Sequence, residues 1–418
     1  MVNEAARLTF GPHATDVVEG INVSRMREAR AAKARQALRA QGLPAALVTG
    51  TDNVRYLAGI QWGEFQPQLC YLLFFAEHDP VVFAHAGCYH QLPDQCPWLA
   101  EWRIGRSWLG GIAGPSATAE ETALFAAEIR DELKARGLAG ESLAVIDFDA
   151  TAGAALRDVG LVTADGSEWL LDASQTKTID EINCLKMAAS LCSAGFQKAR
   201  EVLRPGTTQG QVARAATTAI AEAGAEFARA RPVSGPLGFE RGMTYSDRRI
   251  EHGDLVYIAA CGTSHLGYAA CLYRQYVVGR KPTAREIGWY DELRDRIDAV
   301  IDAIRPGAST ADAAQHFPPA SKWGYRDEAE VLTVEIGHGV GLVNFGGRHA
   351  HYNRPVINRQ WSMKHPQIFE PGMVIAVESL EGEHRVGGVR LEDMVVVTER
   401  GAELIDFFPR DEILVAGV

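Results

Sequence analysis

The sequence predicts two domains, a smaller α/β domain over residues 1–172 and an internally duplicated α+β domain over residues 173–418. The length of 418 residues exceeds that of most single domains. Strand-like and helix-like patterns alternate in the first part, as they do in α/β domains. In the second part a helix end, an Arg-Pro-Gly turn and a hydroxyl cap occur twice, which indicates a repeated half-domain.

The first domain is predicted to open with a helix rich in Ala, Arg and Gln, with Ser24 as its N-cap and Gly42 beyond its end. Apolar runs broken by turn residues then indicate strands. The predicted elements are a helix over 24–43, a strand and polar turn over 44–59, two strands over 68–85, a helix over 117–137 and a strand over 142–149.

The second domain is predicted to open with a long amphipathic helix that runs to Leu203, with Asp180 and Glu181 at its start, where the helix dipole favours acidic residues. The two copies of the Arg-Pro-Gly pattern lie at 200–216 and 302–316. Apolar strands are predicted over 253–262, 272–279, 372–382 and 389–399.

The composition excludes several function classes. A net charge of −11 gives no basic surface for nucleic acid. No apolar run reaches the ~18 residues of a membrane span, and the N-terminus lacks the apolar segment of a signal peptide. Seven cysteines without a CxxC pair favour reduced thiols. We therefore expect a cytoplasmic protein that binds neither membrane nor nucleic acid.

Polar residues interrupt the predicted strands of the second domain at a few positions. His338 lies between glycines in EIGHGVGLV, and Glu378 ends the apolar run of PGMVIAVESLEG. In GGVRLEDMVVV, Arg390 and Glu392 alternate with Leu391, so they share one face of a strand. These segments predict one polar pocket with His338, Glu378 and Glu392 at its floor.

The blocks GHGxGL, PGMVxxxE and GGVRxED, in this order, resemble the pita-bread family of methionine aminopeptidases, proline-specific peptidases, creatinase and dimethylsulfoniopropionate lyase. The resemblance implies a pita-bread C-terminal domain, a creatinase-type N-terminal domain and a homodimer. It also implies that His338, Glu378 and Glu392 match three of the five metal ligands of the metal-dependent members.

The other two ligands of those members are aspartates, and this sequence departs from the pattern at both positions. They fall at Ala259 or Ala260 and at Cys271 in VYIAACGTSHLGYAACLYRQ. A two-metal site needs bridging carboxylates. We therefore predict no metal and no other cofactor, as in creatinase. A single ion on Cys271, His338, Glu378 and Glu392 stays open as an alternative.

Two further departures concern histidines of the peptidases and creatinase. One is replaced by Gly242, and the one that often follows HGxGL is replaced by Phe345. His265, on the connection between two strands, is a candidate to compensate. His349 and His351 form an HxH that suits either a metal on a strand or, as we expect, a loop over the pocket.

The predicted function is that of a metal-independent, creatinase-like hydrolase that cleaves a C–N bond of a small cationic or zwitterionic molecule. His338 would relay protons, and Glu378 and Glu392 would hold the cation. Cys271 is either a nucleophile or buried filler, while cysteines outside the pocket are expected in the core.

Several residues are expected to line the pocket. The candidates for substrate binding are Arg390, Tyr268, Trp62, Phe65, Phe345 and His349. Packing is the other interpretation of Tyr268, Arg390, Trp62 and Phe65. The alternative functions are a small-zwitterion lyase, a non-catalytic binding module and a metal-dependent Xaa-Pro peptidase.

Overall fold

The structure is a computed structural model that describes residues 20–61, 70–239, 246–331, 336–342 and 353–417. The described residues form two compact units. One contains the described residues within 27–175 together with Leu342, and the other contains the described residues within 20–26, 176–341 and 353–417. No helix among the described residues has the length and apolar character needed to cross a membrane.

The N-terminal unit is an α/β domain with one mixed sheet of six strands. Its strands are β1 (Ala45–Thr49), β2 (Cys70–Phe75), β3 (Val81–Ala84), β4 (Glu101–Ile104), β5 (Ser142–Ile146) and β6 (Val162–Asp165). Its helices are α1 (Val23–Ala40), α2 (Thr51–Ala58), α3 (Ala86–Tyr89), α4 (Leu92–Gln95), α5 (Pro115–Ala135), α6 (Ala150–Asp158) and α7 (Ser167–Gln175). The strand order is β4-β3-β2-β1-β5-β6, in which β1 pairs antiparallel with β2 and parallel with β5.

Two local predictions for this unit are wrong. The polar turn expected after β1 is helix α2, because Val54 and Leu57 place an apolar face on the core and Gly59 ends the helix in a left-handed conformation. The N-cap of α1 is Asn22 and not Ser24, since the side chain of Asn22 accepts a hydrogen bond from the backbone N–H of Arg25 at 2.9 Å.

The C-terminal unit is an α+β domain built around a larger sheet. Its helices are α8 (Ile179–Val202), α9 (Gln209–Glu222), α10 (Ala284–Ala303) and α11 (Thr310–Ala314). Its strands are β7 (Arg231–Ser234), β8 (Leu255–Ala259), β9 (Ser264–His265), β10 (Tyr268–Ala269), β11 (Tyr273–Val278), β12 (Ile336–Gly339), β13 (Asn353–Ile357), β14 (Val374–Glu383), β15 (Gly387–Thr398), β16 (Gly401–Leu404) and β17 (Leu414–Ala416).

The duplication is visible in how the helices of this unit begin. The first helix of each half starts with a Thr–Glu capping box, Thr178 with Glu181 and Thr283 with Glu286. The second helix of each half follows an Arg-Pro-Gly turn and starts with a further capping box, on Thr208 for α9 and on Ser309 for α11. The repeated sequence pattern therefore encodes the same helix–turn–helix start in both halves.

The central sheet has the order β13-β12-β14-β15-β11-β8-β7, with β16 on β15 and β17 on β11. Strands β14 and β15 pair antiparallel over ten residues at its middle. One face of this hairpin packs Val377, Leu391 and Val395 into the apolar core that includes Ile297 of α10. The opposite face carries the alternate residues, Glu378 and Glu392 among them, so the candidate polar residues lie away from α10.

Candidate active site

Three predicted residues meet on one face of the central sheet. Glu378 of β14 lies directly opposite Glu392 of β15. His338 of β12 lies opposite Ala376, two residues before Glu378 on the same face. All three side chains have no solvent-exposed surface. The strand register therefore brings the three predicted residues together on one buried face of the sheet.

The orientation of His338 follows from its neighbours. Its Nδ1 lies 3.0 Å from the backbone oxygen of Gly339. Because a carbonyl oxygen only accepts hydrogen bonds, Nδ1 carries a hydrogen and Nε2 is the basic nitrogen of the neutral ring. Nε2 lies 3.6 Å from Glu392 Oε1. The two buried side chains therefore face each other across a short gap on the same face of the sheet.

The glycines around His338 permit a close approach of two strands. A Cβ atom at Gly339 would lie 1.9 Å from the backbone oxygen of Arg354. A Cβ atom at Gly337 would lie 2.8 Å from the side chain of Ile357. Both contacts are with β13, so glycine on either side of His338 lets β12 pair tightly with that strand.

Arg390 lies beside Glu378 in the same buried layer. Its Nη1 is 3.7 Å from Glu378 Oε2, and its guanidinium lies over the rings of Tyr257 and Tyr273 at 5.4 and 5.9 Å. Within the described residues the three guanidinium nitrogens make no hydrogen bond, and neither does the buried hydroxyl of Tyr257. The floor thus contains one cation beside two carboxylates, together with hydrogen-bond donors available to a ligand.

Two thiols contact Glu392 from the connection between β8 and β11. The Sγ atoms of Cys271 and Cys261 lie 3.1 and 3.5 Å from Glu392 Oε2. The sequence predicts Cys271 in the pocket and the other cysteines in the core. Cys88 and Cys261 are instead half-buried, and Cys261 packs against a core cluster while it also contacts Glu392. Cys261 reaches Glu392 because it lies opposite Cys271 on the neighbouring segment. That position depends on strand pairing, which spacing along the sequence does not reveal.

The environment of Cys271 disfavours a nucleophilic thiolate. Burial raises the pKa of the Cys271 thiol well above its ordinary value. The adjacent Cys261 thiol and the carboxylates of Glu392 and Glu378 raise that pKa further, because they oppose a second negative charge. The thiol therefore stays protonated near neutral pH and donates its hydrogen to Glu392.

Arg274 supports Glu392 from beneath and was not a sequence candidate. Its guanidinium is fully buried, and Nη1 donates to the backbone oxygen of Glu392 at 2.7 Å. It also pairs with Asp393 at 3.2 Å and with Asp406. This network holds the main chain on which Glu392 is mounted.

The remaining candidates are placed differently. Tyr268 is buried, and its hydroxyl donates to Glu181 Oε1 at 2.8 Å, which gives it a structural role at the start of α8. His265 lies opposite Tyr268 on β9. It does not belong to the cluster of thiol and carboxylate ligand atoms found in the described part of the chain. Other candidates lie outside the described residues, namely Trp62, Phe65, Phe345, His349 and His351.

The fold and the buried histidine–glutamate floor define a two-domain enzyme class with a duplicated catalytic domain. The profile of metallopeptidase family M24 matches residues 183–399, and that of the creatinase/prolidase N-terminal domain matches residues 30–174. The chain belongs to the M24 family, with the pita-bread domain preceded by a creatinase-type domain.

Relatives in this family carry different activities in their names. The probable dipeptidase PepE of Mycobacterium tuberculosis is 30% identical over 262 residues, which cover 62% of this chain and 65% of that protein, slightly under two thirds of its length. Agropine synthesis cyclase of Rhizobium rhizogenes is 25% identical over 406 residues, covering 90% and 94%.

Two further comparisons cover nearly the whole chain. The dimethylsulfoniopropionate lyase DddP of Roseovarius nubinhibens is 24% identical over 425 residues, covering 98% of this chain and 92% of that protein. The crystal structure of dipeptidase PepE from Mycobacterium ulcerans aligns with a TM-score of 0.75 and 25% identity, covering 96% of this chain and all of that one.

Proposed function

We propose that this protein is a metal-independent hydrolase that cleaves a C–N bond in a small zwitterionic molecule. The observation that carries this proposal is the environment of Glu392. Its carboxylate has the imidazole of His338 on one side and two thiols on the other, where the resemblance would place aspartates. The proposed reaction therefore uses an acid–base pair, His338 with Glu392, and not the two-metal chemistry of the metallopeptidases.

The residues present do not fit a dinuclear centre. Two ions ~3.5–4 Å apart need carboxylates that bridge them. By the resemblance to the family pattern, one aspartate position falls at Ala259 or Ala260 and the other at Cys271. Thiols are the groups in contact with Glu392 Oε2 on that side. No step of the proposed reaction is therefore assigned to a metal.

The His338–Glu392 pair is suited to move one proton in each direction. The bond from Nδ1 to Gly339 fixes the ring, and Glu392 stabilises the imidazolium that forms when Nε2 takes a proton from water. The hydroxide that remains adds to the carbon of the C–N bond. The proton returns to the leaving nitrogen as that bond breaks, so that both side chains regain their starting state.

The charges of the floor favour a zwitterion over a simple cation. Glu378 offers an anion to an ammonium or amidinium group. Arg390 offers a buried guanidinium, and Tyr257 offers a hydroxyl, to a carboxylate. The sequence predicts a cationic or zwitterionic substrate whose cationic group is held by the two glutamates. Arg390, 3.7 Å from Glu378, adds the second half of the recognition pattern.

The test is turnover of a small panel after the protein has been treated with a chelator. The panel contains creatine and other amidino amino acids, N-acyl amino acids and a dipeptide ending in proline, with release of urea, ammonia or primary amine as the readout. We expect turnover of an amidino or N-acyl amino acid without metal, and its loss in His338→Gln. Turnover confined to the dipeptide after Mn²⁺ is added would reject the proposal.

A second candidate is intramolecular acyl transfer, in which a hydroxyl of the substrate replaces water. It is favoured because the match to agropine synthesis cyclase covers 94% of that protein, whereas the match to PepE covers 65% of its own. Turnover in heavy-oxygen water separates the two. Hydrolysis places the heavy isotope in the acid released from an N-acyl substrate or in the urea released from an amidino substrate, and cyclisation does not. A lyase of the DddP kind would instead release an alkene product.

A further inference from the structure

Three metal-ligating atoms converge at the corner of the site where β8 and β11 connect. The Sγ atoms of Cys261 and Cys271 and one oxygen of Glu392 all lie within 4.8 Å of one another. No other group of this kind occurs among the described residues. The cluster contains two soft ligands and one hard ligand, unlike the all-oxygen and imidazole sets that hold Mg²⁺ or Mn²⁺.

The separations suit one tetrahedral ion. Zinc bonds of about 2.3 Å to sulfur and about 2.0–2.2 Å to oxygen place neighbouring ligands roughly 3.4–3.8 Å apart in a tetrahedron. The two thiol–carboxylate distances here are 3.1 and 3.5 Å. Small side-chain rotations would bring all three atoms to bonding distance of a common centre.

The backbone holds the two thiols in place. The N–H of Ala260 donates to Leu272 at 2.9 Å, and the N–H of Gly262 donates to Ala270 at 2.8 Å. These bonds flank the two cysteines and keep them opposite each other. Cys271 is fully buried and Cys261 is half-buried, so the corner is formed before a ligand arrives and Cys261 lies at its accessible side.

We propose that Cys261, Cys271 and Glu392 form a site for a single thiophilic divalent cation of the zinc class, and that occupancy switches the proposed hydrolase off. Binding replaces the two S–H bonds with metal–sulfur bonds and releases two protons to solvent. The fourth position of the ion stays open to water. The thiols lie on the Oε2 side of Glu392 and His338 lies on the Oε1 side, so an ion bound through Oε2 leaves Oε1 in place but neutralises the carboxylate charge that would stabilise an imidazolium on His338. This second half of the proposal rests on the proposed function, whereas the binding site does not.

The binding test uses the full chain, freed of metal by a chelator, with Co²⁺ as the probe. We expect a thiolate-to-cobalt charge-transfer band in the near ultraviolet that saturates at one equivalent and is displaced by Zn²⁺. Cys261→Ser should lose most of this band and weaken Zn²⁺ binding at least ~10-fold. The matched control is Cys88→Ser, a half-buried cysteine on α3, which should change neither. A missing band, or an undiminished band in Cys261→Ser, overturns the site.

A measurement on the unmodified protein covers the case in which Cys261→Ser fails to fold. Stoichiometric Zn²⁺ should protect Cys261 from alkylation by iodoacetamide, read by mass spectrometry, while Mg²⁺ and Mn²⁺ should not. Equal alkylation with and without Zn²⁺ overturns the site.

Activity separates the two proposals. Zn²⁺ that binds and stops turnover supports both. Zn²⁺ that binds and raises turnover keeps the site and rejects the metal-independent hydrolase and the inhibitory role. Turnover by chelator-treated protein that binds no Zn²⁺ keeps the hydrolase and rejects the site.

Discussion

The substitution Glu392→Gln separates the chemical role of Glu392 from its structural role. The amide has the shape of the carboxylate, and its oxygen can still accept from the thiols that lie 3.1 and 3.5 Å away. Its NH₂ group can donate to His338 Nε2, 3.6 Å from the replaced oxygen. Two charge-assisted bonds become neutral ones, so we expect the free energy of unfolding to fall by only about 1–2 kcal/mol.

The expected effect on turnover is much larger. An amide neither takes up a proton nor stabilises an imidazolium, and loss of a positioned acid–base group lowers kcat about 10²–10⁴-fold. That factor corresponds to roughly 2.7–5.4 kcal/mol of transition-state stabilisation. The variant should therefore be nearly as stable as the parent protein and almost inactive.

The assay compares kcat with urea unfolding for the same preparations, after treatment with a chelator. The control is Glu383→Gln, the same change at an exposed position near the end of β14. It should leave kcat within about twofold, because surface substitutions away from the site have small effects. If Glu392→Gln retained kcat within about threefold while remaining folded, Glu392 would not belong to the proton-transfer pair.

Two further predictions concern the support of the site. Gly339→Ala should destabilise the protein by about 3 kcal/mol or more in urea unfolding, because its Cβ would meet the backbone oxygen of Arg354 at 1.9 Å. Gly288→Ala, on an open face of α10, should instead add about 0.5–1 kcal/mol, and a similar loss at both positions would refute the steric argument. Arg274→Met should cost about 3–5 kcal/mol, since it removes the cation that pairs with the buried Asp406 and leaves Asp393 with Arg410 as its cation. Arg274→Lys, which keeps the charge, should cost less by the same measurement, and equal losses would contradict this electrostatic origin.

Local periodicity is the reason why much of the catalytic half could be predicted. Alternation along a strand places Arg390 and Glu392 on one face whatever the partner strands are, and the structure confirms that arrangement. The two Arg-Pro-Gly repeats likewise predicted helix starts, which are capped by Thr208 and Ser309. The prediction is wrong where the apolar periodicity is short. The sequence predicts a turn at the eight-residue helix α2, because its apolar face spans few residues.

The sequence by itself determined which side chains could act, because strand alternation, glycine placement and helix caps depend on neighbours along the chain. Only the tertiary structure decided how His338, Glu378 and Glu392 meet. Cys271 and Glu392 are 121 positions apart, and their contact depends on the pairing of β11 with β15. The same pairing brings in Cys261. The floor that the sequence predicts as acidic also contains two thiols and an arginine, because distances across strands are set by register and not by sequence spacing.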